Sequence, residues 1–401
     1  MENNKVLDFI RDSIDNTTKV FDSERGGKTL LYLPYPYTTP CAEGMFQEMY
    51  YWDTYFTHKA LYLLGKAGQA LNNLKNFDYM LSEYGRIPNG NRSFFLNRSQ
   101  PPFFALMLKD YLEKGNGDLT KEQAYAMLKK EYAFWQSART SPSGLNRYYC
   151  NVTEADVVKE FGPIGSDYTW ARTGEKFKVS IEKYVHIYAE AESGWDFTPR
   201  FDNHCTDFNP IDLNSLLYAA EALLGELAPD GEREEYINNA EKRKALINKH
   251  CLGEDGIYYD YDFVNDKRAK TVSCASFFPY FVGITEDKEA FKLLLSKLEA
   301  PYGLVSARTD KKCYQWAEPN SWAPLTYIAT ESARKIGLLE DANRLAKKYT
   351  GTIEALFEKT NHLWEKYNAE TGTLEVVDEY AQPKMLGWTA GVYMALKTWD
   401  K

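Results

Sequence analysis

Histidine is scarce in this 401-residue chain: His58, His186, His204, His250 and His362 are scattered, and none forms HExxH or HxH. That excludes the helix-borne zinc sites of metalloproteases. His204-Cys205 is a lone doublet, read as structural, so no metal is expected. The six cysteines (Cys41, Cys150, Cys205, Cys251, Cys274, Cys313) show no CxxC spacing. They read as reduced thiols rather than a disulfide framework. No run of about 18 apolar residues exists to cross a membrane, and residues 1–15, MENNKVLDFIRDSID, lack the apolar run of a signal peptide. A cytoplasmic protein is expected. Basic runs are also missing: 48 Lys and Arg stand against 57 Asp and Glu, for a net charge of −9. Neither nucleic acid nor an anionic membrane is an expected partner. GxSxG, P-loop and dinucleotide fingerprints are absent, and no cofactor is expected.

Helical patterning fills most of the chain. Leu213, Leu216, Leu217, Ala220, Leu223 and Leu224 fall on one face of a helix over 211–226. Thr120 with Gln123 reads as a capping box opening a helix over 121–138. Further helices are predicted at 3–15, 52–66, 69–83, 100–114, 179–190, 231–251, 272–283, 286–298, 321–336, 340–361 and 385–399. Strand signals are short, the best being the alternating Gly256–Tyr261 run, a hairpin between helices. Asp260, Asp262 and Asp266 lack the glycine and closing glutamate of a calcium loop and read as part of that hairpin. No Pro- or Ser-rich linker divides the chain, and no repeat of about 34 or 40 residues appears. The expected fold is all-α: one domain over 1–401, an (α/α)6 toroid with short β-hairpins in its loops.

Aromatic residues make up 15% of the chain, with 30 Tyr, 21 Phe and 9 Trp. Many lie in inter-helix loops beside acids and amides: 46–53, 85–102 (GRIPNGNRSFFLNRSQPP), 192–201 (ESGWDFTPRF), 315–324 (QWAEPNSWAP), 365–380 and 386–392. Each segment alone fits core packing and turn capping as well. Together they fit a sugar cleft, where rings meet the apolar sugar face and carboxylates and amides take the hydroxyls. Glycoside hydrolysis uses two carboxyl groups. Asp196, between Trp195 and Phe197, suits the acid, because aromatic neighbours desolvate it and raise its pKa. Glu365 read by itself is a surface glutamate paired with Lys366.

These segments, in this order, resemble the trehalase family (glycoside hydrolase family 37) from about residue 34 to 394, with kinship to the small bacterial members of family 63. EMYYWDTYF, IPNGNRSFFLNRSQPP, ESGWDFTPRF, QWAEPNSWAP and the EKY–EY–GWTAGV end carry the likeness. The resemblance implies a toroid and an inverting α-glycosidase releasing glucose from trehalose or a related small α-glucoside. It implies Asp196 as general acid and Glu365 as general base. Trp52, Asp53, Asn89, Arg98, Gln100, Gly194 and Glu379 fall on substrate-binding positions, and Phe46, Trp195, Gln315 and Trp316 belong to the same segments. The implied partner is a small carbohydrate.

The departures concern binding more than chemistry. Met45 stands where the family has an arginine before Trp-Asp. The Arg-Pro-Glu segment expected after GLNRYY (144–149) is missing. Ala317 replaces an aspartate beside Glu318, and TGTLEVVD (371–378) replaces a glycine-rich run that covers the site. Of three family arginines only Arg98 is matched, with Arg172 and Arg147 as candidates to compensate. A shifted substrate such as glucosylglycerate or mannosylglycerate is one alternative. A non-catalytic sugar-binding protein is another, opposed by the retention of Asp196 and Glu365. An epimerase would need histidines in the motif loops, and a phosphorylase an added β-sandwich.

Overall fold

Two kinds of helix alternate along the chain, and their sequences dictate which is which. Tyr51–Leu63, Ile211–Leu227, Ala323–Lys335 and Gly387–Lys397 are apolar or small on nearly every side, and most of their residues are buried. A helix apolar all round must be covered all round, so these form an inner layer. Ala67–Tyr84, Lys121–Ala138, Asp230–His250 and Leu339–Thr360 carry one buried stripe and a charged outer face. In Asp230–His250 the buried residues are Tyr236, Ala240, Arg243 and Ile247, one line along the helix. Short turns return Asp230–His250 onto Ile211–Leu227 and Leu339–Thr360 onto Ala323–Lys335, while Lys121–Ala138 packs most against Ile211–Leu227, the inner helix that follows it.

In this computed structural model residues 4–398 are described, and helices dominate them. The first long inner helix, Tyr51–Leu63, packs most extensively against the last helix, Gly387–Lys397. Gly391 makes that approach possible, since a Cβ there would fall 1.9 Å from the Phe56 carbonyl oxygen. The N-terminal helix Lys5–Ser13 joins the same end, where the Asn4 side chain meets Tyr393 and Glu354. Strands are two or three residues long and pair only in small antiparallel ribbons.

Most predicted helices lie where periodicity puts them. The Thr120–Gln123 capping box is formed in both directions, at 2.9 and 3.2 Å. The 272–283 helix is a correction. It shrinks to a 3₁₀ turn, Cys274–Phe277, and a single α turn, Phe278–Phe281. Ser273 pairs with Ala307 and the Cys274 N–H donates to the Ser306 carbonyl, which holds the start extended. Positive-φ Gly283 follows the turn. The 256–261 run pairs in two short pieces: Tyr258 bridges antiparallel to Leu252, and Tyr261–Asp262 lies between Phe208–Asn209 and Lys267–Arg268. Residues 3 and 399, at the ends of two predicted helices, lie outside the described residues. The elements with no counterpart in the prediction include helix Glu154–Phe161, opened by a Thr153–Asp156 capping box, and the hairpin Asp167–Thr169/Lys176–Lys178. No helix among the described residues is long and apolar enough to cross a membrane.

Candidate active site

Three loop systems converge at one end of the inner helices, each fixed by buried polar bonds. The first is the N-terminus of Tyr51–Leu63, whose leading N–H groups have no partner within the helix. The 87–100 loop supplies partners. Tyr51 N–H donates to the Asn89 carbonyl (3.1 Å), and Trp52 N–H donates to Gln100 Oε1 (3.1 Å). Just before the helix, Met49 N–H donates to Asn91 Oδ1 (2.8 Å). Asp53 therefore sits in the first turn, buried and aimed at the space between the loops.

The second is the loop after helix Ile181–Glu192. Glu192 is buried and accepts four bonds: from Ser99 N–H (2.7 Å), Tyr149 N–H (2.8 Å), and Arg139 Nε and Nη2 (2.9 and 2.8 Å). One carboxylate thus ties the Arg98–Gln100 segment to the Asp196 loop. Below it, Arg200 makes forked contacts to Asp212 and Asp260 at 2.8–3.0 Å and stacks 4.4 Å from the Trp195 ring. Thr198 N–H donates to Glu190 Oε1 (2.7 Å), and Gln315 Nε2 donates to the Asp196 carbonyl (2.6 Å).

The third system carries Glu365. Strand Asn320–Trp322 pairs antiparallel with Lys366–Asn368, setting Trp322 opposite Lys366. Trp388 Nε1 donates to the Glu365 carbonyl (3.1 Å). Glu365 is not the surface residue its sequence context suggests: it is 2% exposed. Its pairing with Lys366 is real and buried, at 2.7 Å to Oε2, and Tyr380 O–H donates to Oε1 at 2.7 Å.

Between these systems lies a cavity of about 440 Å³, within the range of small-molecule sites, roughly 300–1,000 Å³. Both Asp196 and Glu365 line it, as do Phe46, Trp52, Asp53, Asn89, Arg98, Gln100, Gly194, Gln315, Trp316 and Glu379. Trp195 is the correction: it is wholly buried and packs beneath the lining, against Trp316 (5.4 Å) and Arg200. Adjacent side chains take opposite sides of this bent loop, so Trp195 faces inward where Asp196 lines the cavity. The floor is aromatic. Trp316 stacks on Trp322 at 3.8 Å, with Trp52 tilted against it and Trp388 edge-on.

Electrostatics set the lining acids apart. Burial pushes Asp53 up to about 8, and the charges of Glu365 and Asp196 push the same way. Burial, then the neighbouring Asp196, pushes Glu379 up to about 8 against the pull of Arg172. Asp196 is raised by burial and held back by Arg172, whose Nη1 lies 3.0 Å from its Oδ2. Glu365 is raised by burial and held back by Lys366 and Tyr380. Arg98 lies between the rings of Phe95 and Tyr188, 4.9 Å from each, with its Nε unpaired.

Several lining residues were not among the expected site residues: Tyr50, Phe95, Trp322, Tyr380 and Trp388, which lie within the motif segments, and Met385, which does not. All but Met385 are aromatic residues in or beside the acid-rich loops, and that composition was the available signal. Of the two compensating arginines, Arg172 is in the cavity wall. Arg147 is elsewhere, donating to the Thr206 carbonyl. Glu318 pairs with Arg308 (2.7 Å) and does not line the cavity. Away from it, His186, His204 and Asp207 bring ligand atoms within 4.8 Å of one another, with His186 Nδ1 already 2.8 Å from Thr206 Oγ1.

An aromatic-floored cavity walled by carboxyls, amides and arginines defines a carbohydrate-processing enzyme. The trehalase family model matches residues 5–398, and the chain belongs to that family, as a glycoside hydrolase. It is 35% identical over 399 residues to the periplasmic trehalase of Xanthomonas oryzae pv. oryzae, covering 92% of this chain and 68% of the relative. It is 32% identical over 410 residues to the periplasmic trehalase of Pseudomonas aeruginosa, covering 94% and 74%. Among solved structures, the neutral trehalase of Saccharomyces cerevisiae aligns with a TM-score of 0.76 at 24% identity, covering 98% of this chain and 80% of that one. A mannosylglycerate hydrolase of glycoside hydrolase family 63 from Thermus thermophilus aligns at 0.60 and 16% identity, covering 99% and 100%. Both likenesses concern the fold.

The cytoplasmic expectation is corrected by the two bacterial relatives, which are named periplasmic. The cysteine argument behind it fails physically. The six thiols sit singly, five of them buried, and a lone packed thiol is a small apolar group whichever redox compartment surrounds it.

Proposed function

We propose that this chain is an inverting α-glycosidase that hydrolyses trehalose to glucose, built as one domain in an (α/α)6 toroid. The alternation of wholly buried and amphipathic helices, with the first long inner helix packed on the last, supports a closed ring. The observation that carries the chemistry is the pair of carboxyls, Asp196 and Glu365, held by separate loops in the wall of one aromatic-floored cavity. Asp196 is the general acid, protonating the glycosidic oxygen as the bond breaks. Glu365 is the general base, taking a proton from a water that attacks the anomeric carbon from the opposite face.

The division of labour follows from the partners. Glu365 receives two direct donors, Lys366 Nζ and Tyr380 O–H, which favour its carboxylate and suit a base. Asp196 receives one, from Arg172, and keeps a third (33%) of its side chain open to the cavity. A sugar filling that space strips away the remaining water, which raises the pKa and keeps the acid protonated. Asp53, Asn89, Arg98 and Gln100 are placed to hold sugar hydroxyls, and the tryptophan floor to meet the ring faces.

NMR of the purified chain with trehalose, glucosylglycerate and mannosylglycerate tests the reading. Equal initial amounts of α- and β-glucose from trehalose are expected, because the attacked half inverts and the departing half keeps its α configuration. α-Glucose alone at first would overturn inversion, and cleavage of either glycerate glycoside with trehalose untouched would move the substrate.

A further inference from the structure

The cavity of this chain is cationic at two points among the described residues, Arg98 and Arg172. Arg98 lies in a motif segment. Arg172 does not: it rides the tip of the hairpin Asp167–Thr169/Lys176–Lys178. Trp170 N–H donates to the Glu175 carbonyl (2.7 Å) and Gly174 N–H to the Trp170 carbonyl (2.8 Å), which close the tip tightly. The hairpin is seated by its own rings. Trp170 packs edge-on against Phe197 (5.6 Å), the residue after Asp196, and against Phe161 (5.6 Å). Its tip therefore travels with the Asp196 loop.

From that seat Arg172 Nη1 reaches Asp196 Oδ2 at 3.0 Å and Glu379 Oε2 at 3.2 Å. It joins the Asp196 loop to the C-terminal segment across the cavity. A guanidinium carries five N–H donors in a planar fork, and both contacts use one nitrogen. Nε and Nη2 make no hydrogen bond to the described residues, while the side chain is 39% exposed in the cavity wall. Met45, also in the wall, has no donor to offer.

We propose that Arg172 is the specificity-determining residue of the leaving-group side, gripping hydroxyls of the departing sugar with its unused N–H groups. The inference rests on the functional reading above, because Asp196, as acid, marks the side from which the leaving sugar departs. A fork that holds two carboxylates and keeps two nitrogens free to donate fits a second pyranose and has little to grip on a small aglycone.

The experiment compares Arg172→Ala and Arg172→Lys with wild type on trehalose and on α-glucosyl fluoride. Fluoride occupies no leaving-sugar space and departs without a proton. Losing charge-assisted hydrogen bonds to the sugar lowers kcat/KM for trehalose by about 100-fold in Arg172→Ala. The loss on the fluoride is expected to stay roughly tenfold smaller. Lysine, with the charge but no fork, recovers part of the trehalose loss. Equal losses on both substrates would mean a structural role and overturn the proposal, as would undiminished trehalose cleavage in Arg172→Ala. Wild-type protein inert to trehalose but active on the fluoride would instead overturn the substrate reading beneath it.

Discussion

Gly194 offers the sharpest test of how backbone geometry builds this site. Its φ is +74°, in the left-handed region, and a Cβ there would meet the Trp52 indole at 3.0, 3.1 and 3.3 Å. Alanine must pay for both. The left-handed conformation costs about 1–2 kcal/mol for a residue with a Cβ, and forcing a methyl against a packed ring costs about 1–3 kcal/mol. Together these give about 2–5 kcal/mol. At roughly 2.1 cal/mol/K per residue, unfolding a chain of 401 residues has an entropy near 0.8 kcal/mol/K, so Tm falls by about 2–6 °C. Activity should fall further than stability. Asp196 is two residues on, and Trp52 adjoins Asp53, so the methyl displaces both sides of the cavity. A misplacement of about 1 Å costs on the order of 100-fold in rate. Scanning calorimetry and trehalose kinetics on Gly194→Ala measure both effects. Gly231→Ala is the control, because nothing lies within 4 Å of its Cβ and its φ is ordinary. There alanine should stabilise the Asp230–His250 helix slightly. Wild-type Tm and kcat/KM in Gly194→Ala would refute the reasoning.

Three other substitutions probe the chemistry and its support. Asp196→Asn should lower kcat on trehalose by about 10²–10⁴ while the protein stays folded, because an amide cannot supply the proton; turnover near wild type would remove Asp196 from the acid role. Tyr380→Phe removes a donor that favours ionised Glu365, so the acidic limb of kcat/KM should move upward by roughly one pH unit. An unmoved limb would show that Glu365 does not govern it. Glu192→Gln strands Arg139 in a buried site and should destabilise the fold by about 3–5 kcal/mol, seen as a Tm drop with loss of activity. A Tm within 1 °C, or about 1 kcal/mol, of wild type would mean the two loops are joined by something else.

How much of this was legible depended on whether the information was local. Helices were, because periodicity is a property of one segment, and the Thr120 cap is written within four residues. The Asp196 loop was too, since its chemistry lies in adjacent letters. Glu365 was misleading in isolation: its burial comes from the pairing of 366–368 with 320–322, more than forty positions away, and no local pattern contains that. Trp195 failed for the opposite reason, because adjacency to Asp196 said nothing about which side chain would face the cavity. Arg172 is the hardest case. Its hairpin matches no motif, although the Thr153–Asp156 cap before it and the alternating Tyr168, Trp170 and Phe177 were readable as helix and hairpin. The 272–283 helix was overread because an apolar run does not tell helix from close-packed turn.

The crowding of acids around the cavity has a thermodynamic consequence that can be isolated at Asp53. It is faced by the carboxyls of Glu365 and Asp196, sits at the start of Tyr51–Leu63, and has no ion pair to Arg98, Arg172 or Lys366. Burial lifts its pKa to about 8 from an ordinary 3.8. A folded-state pKa above the unfolded value means the fold prefers the neutral acid. The stability so contributed is fully present below about pH 4 and is lost as pH rises through 8, since the unfolded chain releases this proton first. Over that window the slope approaches 1.4 kcal/mol per pH unit for one proton. Asp53→Asn mimics the neutral acid and cannot ionise. Its Tm should fall less than that of wild type between pH 5 and 8, by up to about 5 °C on the entropy used above, whatever its offset at pH 5. Parallel Tm–pH curves for the two proteins would mean that Asp53 is ionised in the fold, with a charge partner other than those that line the cavity. The Glu379→Gln curve separates the two raised acids, because Glu379 has Arg172 3.2 Å away to steady its charge and Asp53 does not.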